Sequence, residues 1–396
     1  LHDALPISNA DYTFTGAGST VTNTVGLGAG YWPAAPTTLA RNVVVNLAAS
    51  GNNVNINNSR QINGNLTLTQ GVLNVATAMT LTLFDAPVPT LTRTVNGSIT
   101  LTGTGVFAAN NVNLVYSGNG AGTSGVEYLA PVTISALTVG ANTNPAGWTF
   151  GATRTVTGVS TFNGPTTVGA ITTYSGALNI NAATTFGFNV TANAAVTIAT
   201  NQTLALGVTV FTLSNNLTMG SGAAVTGGNL VFNGGFPQIF QLGGSVTVAS
   251  LTVNQAPTSL VRVTSTVPTG SILTLSTIGS TALTLTRGVL QIDTPNVLRV
   301  GWPTSNVAQM FTRGGSFTSH VNGIFRIDPV VAGSGTATRI EFPIGDTLNF
   351  RPVATTFSAF PGIFIEMSHI NETPGGNNGL PINTLASVPA NAPLTI

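Results

Sequence analysis

A ten-residue phrase, Leu66-Thr-Leu-Thr-Gln-Gly-Val-Leu-Asn-Val75, constrains this chain more than any other stretch. It returns as Ile171-Thr-Thr-Tyr-Ser-Gly-Ala-Leu-Asn-Ile180 and Leu283-Thr-Leu-Thr-Arg-Gly-Val-Leu-Gln-Ile292, starting 105 and then 112 residues further on. Each copy reads as a strand, a glycine corner and a second strand. Apolar residues alternate with Thr or Asn, and glycine reaches backbone angles closed to other residues. Asn113-Leu-Val-Tyr-Ser-Gly118 returns as Asn229-Leu-Val-Phe-Asn-Gly234, and Val132-Thr-Ile-Ser-Ala-Leu-Thr-Val139 as Val246-Thr-Val-Ala-Ser-Leu-Thr-Val253, at similar offsets. The expectation is a chain built from a long repeat.

Period-two alternation runs through Val43-Val-Val-Asn-Leu47, Met79-Thr-Leu-Thr-Leu83 and many shorter segments, and no window carries the 3.6-residue apolar period of a helix. Short strands separated by Gly, Asn and Ser predict an all-β fold of one of two kinds: a parallel β-helix or β-solenoid, or tandem β-sandwich domains. The solenoid explains more. Its coils stack apolar residues inward and leave Thr and Asn outward, while Asn and Gly take the tight corners. Tandem sandwiches call for a recurrent core aromatic, yet Trp32, Trp148 and Trp302 share no repeat position.

Charge narrows the possible chemistry. Only 5% of residues are charged, against roughly 25% in an ordinary domain. All eleven basic residues are Arg, there is no Lys, and the net charge is +1. This balance predicts no nucleic-acid partner and no attraction to acidic membranes. The absence of Cys excludes disulfides and thiolate chemistry. Without Lys there is no P-loop lysine, Schiff base or lysine–asparagine crosslink. No apolar run approaches the roughly 20 residues of a membrane-spanning helix, and the short, aromatic-poor strands fit a transmembrane barrel badly.

The ends carry their own reading. Leu1-His-Asp-Ala-Leu-Pro-Ile7 resembles the translated end of a widely used sequencing adapter, so residues 1–8 are set aside from the fold. The expected organisation continues with a loop-rich cap at 9–41, solenoid repeats at 42–300, a β-sandwich-like module at 301–372 and a loop-rich tail at 373–396, cut short. The boundary near 300 rests on charge. Residues 94–261 hold only Glu127 and Arg154, whereas ten charged residues fall between Arg299 and Glu372.

Three features carry a family resemblance: strand-glycine-strand phrases such as Leu283-Thr-Leu-Thr-Arg-Gly-Val-Leu290, the Leu-Thr-Val segments at 137–139 and 251–253, and Phe342-Pro-Ile-Gly345 followed by Arg351-Pro-Val353. In their order along residues 42–366 the chain resembles the repetitive exported surface proteins of Bacteroidota-type bacteria. The resemblance implies delivery by type IX secretion, a C-terminal sorting domain beyond this fragment, and a role at the cell surface or outside it. It implies no functional residues.

No catalytic, cofactor-binding or metal-binding residue is assigned. A carbohydrate-active β-helix needs paired carboxylates, or a base with a cation site, on one face. Asp293, with Arg287 and Arg299 near it in sequence, reads instead as a corner residue among surface ion pairs. Asp328, Glu341, Asp346 and Glu366 offer oxygens for a hard cation but no ligand-loop spacing. His320 and His369 lack metal or triad spacing. Gly120-Ala-Gly-Thr-Ser-Gly125 matches a dinucleotide pattern, but Val126-Glu-Tyr-Leu-Ala-Pro-Val-Thr-Ile134 reads as further strand where a helix is needed. The sequons at Asn65 and Asn216 arise readily from this composition. Thr pairs at 67 and 69, 80 and 82, and 284 and 286 raise ice binding but lack a constant spacing. Trp148 and Tyr174 read either as sugar-stacking platforms or as buried aromatics. The leading expectation is a non-enzymatic, extracellular structural or adhesive segment whose partners are glycans or neighbouring cell surfaces. The alternative is the non-catalytic part of a carbohydrate-active β-helix.

Overall fold

A computed structural model describes residues 10–16, 21–23, 40–84, 87–130, 132–256, 259–276, 281–301, 311–314, 319–328, 338–345, 350–357 and 365–368. The protein is all-β, and its strands pair almost entirely in parallel, as in a β-solenoid. Parallel ladders decide against tandem sandwiches. Among the described residues the only helical turn is a 3-10 turn at Val126–Tyr128, inside the segment expected to continue as strand. The chain divides into two compact units, Leu1–Asn193 and Ala194–Ile396.

In the first unit Ala10–Gly16, within the expected cap, already pairs in parallel with Ala40–Leu47. One ladder then runs Val43, Leu66, Leu91, Leu114, Leu137, Ser160 and Leu178, each residue paired with the next. Its steps are 23 to 25 residues long until the last, which is 18. From residue 148 the coil is regular. Three-residue strands begin every six residues, and Trp148 pairs with Thr166, Thr166 with Thr184, Arg154 with Thr172 and Thr172 with Val190.

These ladders do not carry the first phrase onto the second. Leu66 opens the first phrase, yet the residue it stacks toward is Leu178, near the end of the second phrase, and not Ile171 at its start. The stacking unit is the coil, and the other long-range match keeps its register, Leu114 pairing with Leu137 as Leu230 pairs with Leu251. The corners differ too. Gly71 and Gly288 take φ of 102° and 87°, in the left-handed region, whereas Gly176 is not among the positive-φ glycines.

Alternation places the core. Val156, Phe162, Val168, Tyr174, Ile180 and Phe186 are fully buried on successive strands; each such side chain contributes about 1.5–3 kcal/mol on leaving water. Thr is not confined to the outside, as the sequence suggested. Thr166, Thr172 and Thr184 point inward, and their hydroxyls donate to the carbonyls of Gly164, Ala170 and Ala182, two residues back, at 2.9, 3.2 and 3.0 Å. A local acceptor removes the penalty of burying a hydroxyl.

The second unit stacks Val196 on Leu217, Leu217 on Phe240, Phe240 on Val263 and Val263 on Ile292, so its coils lengthen along the chain. Parallel pairing passes residue 300 and reaches Ile324–Asp328. There it gives way to antiparallel pairs, Ile324–Asp328 with Ile365–Met367 and Thr338–Phe342 with Val353–Phe357.

Candidate functional site

The first unit buries a charged centre. Glu127 is fully buried beside Arg93, and Arg93 Nη1 lies 2.5 Å from Glu127 Oε1. The same oxygen accepts from the Tyr116 hydroxyl at 3.1 Å and from the Gly125 N–H at 2.8 Å, while Arg93 Nε donates to the Gly97 carbonyl at 2.6 Å. The guanidinium carbon stands 5.5 Å from the Trp148 ring, and Trp148, Phe150, Tyr116 and Tyr128 pack at centroid distances of 4.7 to 5.0 Å. Burial, then the Glu127 charge, pushes the Tyr116 phenol well above its usual range. Burial pushes Tyr128 up to about 12, against the opposing influence of Thr172 and Arg154.

The glycine-rich stretch serves this centre. A Cβ at Gly122 would meet the Trp148 ring at 2.6 Å, and one at Gly125 would meet Glu127 Oε2 at 2.7 Å. The glycines admit a tryptophan and a carboxylate, and the turn that follows has three residues, too short to hold a pyrophosphate. With Glu127 fully buried and the Arg93 side chain 10% exposed, the pair ties coils together from within. Sequence reasoning passed over this pair, although one Glu in a stretch almost free of charge was the signal: such a residue is either exposed or internally paired.

The other candidates disperse. Asp293 pairs with Arg262, one coil earlier, at 2.8 Å, while Arg287 reaches Asn254 at 3.3 Å. Glu366 pairs with Arg326 at 2.7 Å. His320 is fully buried, with Phe350 6.3 Å away. Asp346, His369 and Glu372 lie outside the described residues, as do the side chains of Asp328 and Glu341. Among the described residues no three acids or histidines gather as a metal site, and no helix is long and apolar enough to cross a membrane. Trp148 and Tyr174 are both fully buried, so neither is a sugar platform. The sequon asparagines accept backbone N–H groups from the next coil: Asn65 from Thr90 at 2.9 Å and Asn216 from Ile239 at 2.8 Å.

No protein-family model, curated protein or solved structure matches the chain.

What the strands present outward is ordered. Thr123, Thr149, Thr167 and Thr185 stand in one column, and Thr155, Thr173 and Thr191 in another. Of the Thr-x-Thr pairs, Thr67 lies beside Thr92 and Thr284 between Thr252 and Thr312, whereas Thr80 and Thr82 lie beside Val106 and Ala108. Amides link the coils within each unit. Asn74 donates to Asn55 and accepts from Thr100 and Thr102, Asn181 donates to Asn163, and Asn254 donates to Asn233, at 2.8 to 3.1 Å. The resulting surface is rich in hydroxyls and amides held at the rung spacing, about 4.8 Å.

Proposed function

We propose that this chain is a non-enzymatic, extracellular structural or adhesive segment of a bacterial surface protein. The observation that carries the reading is the in-register columns of Thr with amide bonds from coil to coil. Such bonds resist bending and opening, and a repeated uncharged polar surface offers many weak contacts that add up when several engage together. The likeness of its ordered phrases to exported surface proteins supports placement outside the cell.

Beads coated with the purified chain and passed over immobilised polysaccharides test this function. Retention that free polysaccharide competes away is expected, with no release of sugar. Absence of retention on every glycan and cell surface tried overturns the adhesive reading. Release of reducing ends by the purified chain overturns the non-enzymatic one.

A further inference from the structure

Three ladder pairings in the second unit set four outward side chains in a row. Ile239 pairs with Arg262, Arg262 with Gln291 and Gln291 with Asn322. Each flanks buried residues on its own strand, such as Phe240, Val261 and Val263, Leu290 and Ile292, and Val321, so the row faces away from the core. At about 4.8 Å per rung it spans about 14 Å.

Arg262, Gln291, Asp293 and Asn322 line a groove of about 680 Å³. An adjoining hollow of about 340 Å³ shares Arg262 and Gln291 and adds Pro237, Ile239 and Leu260. The polar end is set before any ligand arrives. Asp293 accepts from Arg262 Nε at 2.8 Å through one carboxylate oxygen and from Gln291 Nε2 at 3.0 Å through the other. The Arg262 side chain remains 53% exposed, and among the described residues its two terminal nitrogens make no hydrogen bond. At the other end Ile239 is 40% exposed, beside the exposed Pro237.

These features select a ligand. The Arg262 and Asp293 charges cancel, so the groove has no reason to prefer an ion. Planar donors and acceptors fixed by one another suit neighbouring hydroxyls, and the apolar end suits a C–H face. We propose that the groove binds an extended neutral polysaccharide, about three sugars long at one per rung. Arg262 and Asn322 donate to hydroxyl oxygens, Asp293 accepts from a hydroxyl, and Ile239 and Pro237 pack on ring faces. The inference rests on the adhesive reading and gives it an address.

Calorimetric titration of the full chain with neutral gluco-, manno- and xylo-oligosaccharides and with an acidic uronate series, each of four to six residues, tests it, alongside the bead assay. Binding of at least one series is expected, with about a tenfold loss of affinity in Gln291→Ala and in Arg262→Ala. Gln291→Ala keeps the ion pair, and unchanged thermal melting certifies the fold of both variants. Retention of wild-type and variant beads alike, with unchanged oligosaccharide affinity, overturns the groove and leaves the adhesive reading standing. Binding confined to acidic oligosaccharides and weakened by salt overturns the neutral ligand. Failure of both oligosaccharide binding and bead retention overturns the two together.

Discussion

Replacing Arg93 by Met should destabilise the first unit by about 3–5 kcal/mol, the usual result of leaving one member of a buried ion pair behind. Glu127 is fully buried, and without Arg93 its Oε1 keeps only the Tyr116 hydroxyl and the Gly125 N–H, both uncharged donors. The Gly97 carbonyl also loses the Arg93 Nε donor, worth about 1 kcal/mol. Removing both charges is different. The double variant Arg93→Met with Glu127→Leu leaves no stranded charge, and its stability should fall within about 2 kcal/mol of the wild type. Trp148, 5.5 Å from the guanidinium carbon, is a local reporter. With Trp32 and Trp302 replaced by Phe, its fluorescence in a urea titration reads the transition of this region even when a solenoid unfolds in stages. A cost below about 1 kcal/mol for Arg93→Met would refute the reasoning. A double variant as unstable as the single would refute it equally, because the loss would then come from packing.

Alkali and a coil-linking amide give two further predictions. Burial raises the phenol pKa values of Tyr116, Tyr128 and Tyr174, Tyr128 from 10.0 to about 12. Their contribution is therefore complete below the unfolded value and is lost as pH climbs through the folded one. Tyrosinate absorbance from these residues should rise together with loss of the β circular-dichroism signal between about pH 10 and 12, and ionisation near 10.0 with the fold intact would contradict this. Asn74→Ala should cost about 1–2 kcal/mol in urea denaturation, since Asn74 joins Asn55, Thr100 and Thr102. The exposed Thr185→Ala should stay within about 0.5 kcal/mol, and equal losses would show that the amide link is not special.

Strands were legible in the sequence because alternation is local: Leu66-Thr-Leu68 shows its buried and outward sides in three letters. Coil length was not legible. It depends on which strand lies beside which, and in a chain of Val, Leu, Thr, Asn and Gly many offsets match about as well as the true one. That is why phrases 105 residues apart suggested a repeat that the ladder from Leu66 to Leu178 does not contain. Thr166, Thr172 and Thr184 were misplaced for a related reason. Their inward position depends on a carbonyl two residues back, a contact with no signature in residue type. Asp293 was noticed, but its partner Arg262 lies 31 residues earlier and becomes a neighbour only once the coil closes.

The constant register between residues 148 and 192 has a genetic consequence. Trp148, Thr166 and Thr184 occupy one ladder, as do Arg154, Thr172 and Val190, so a block of 18 residues begins and ends at equivalent points. Unequal recombination that inserts or removes one such block leaves every remaining strand with a neighbour of the same kind and every inward position inward. A change of one or two residues would turn the alternation inside out or break a corner. A length change of whole turns in this stretch therefore leaves the core pattern intact.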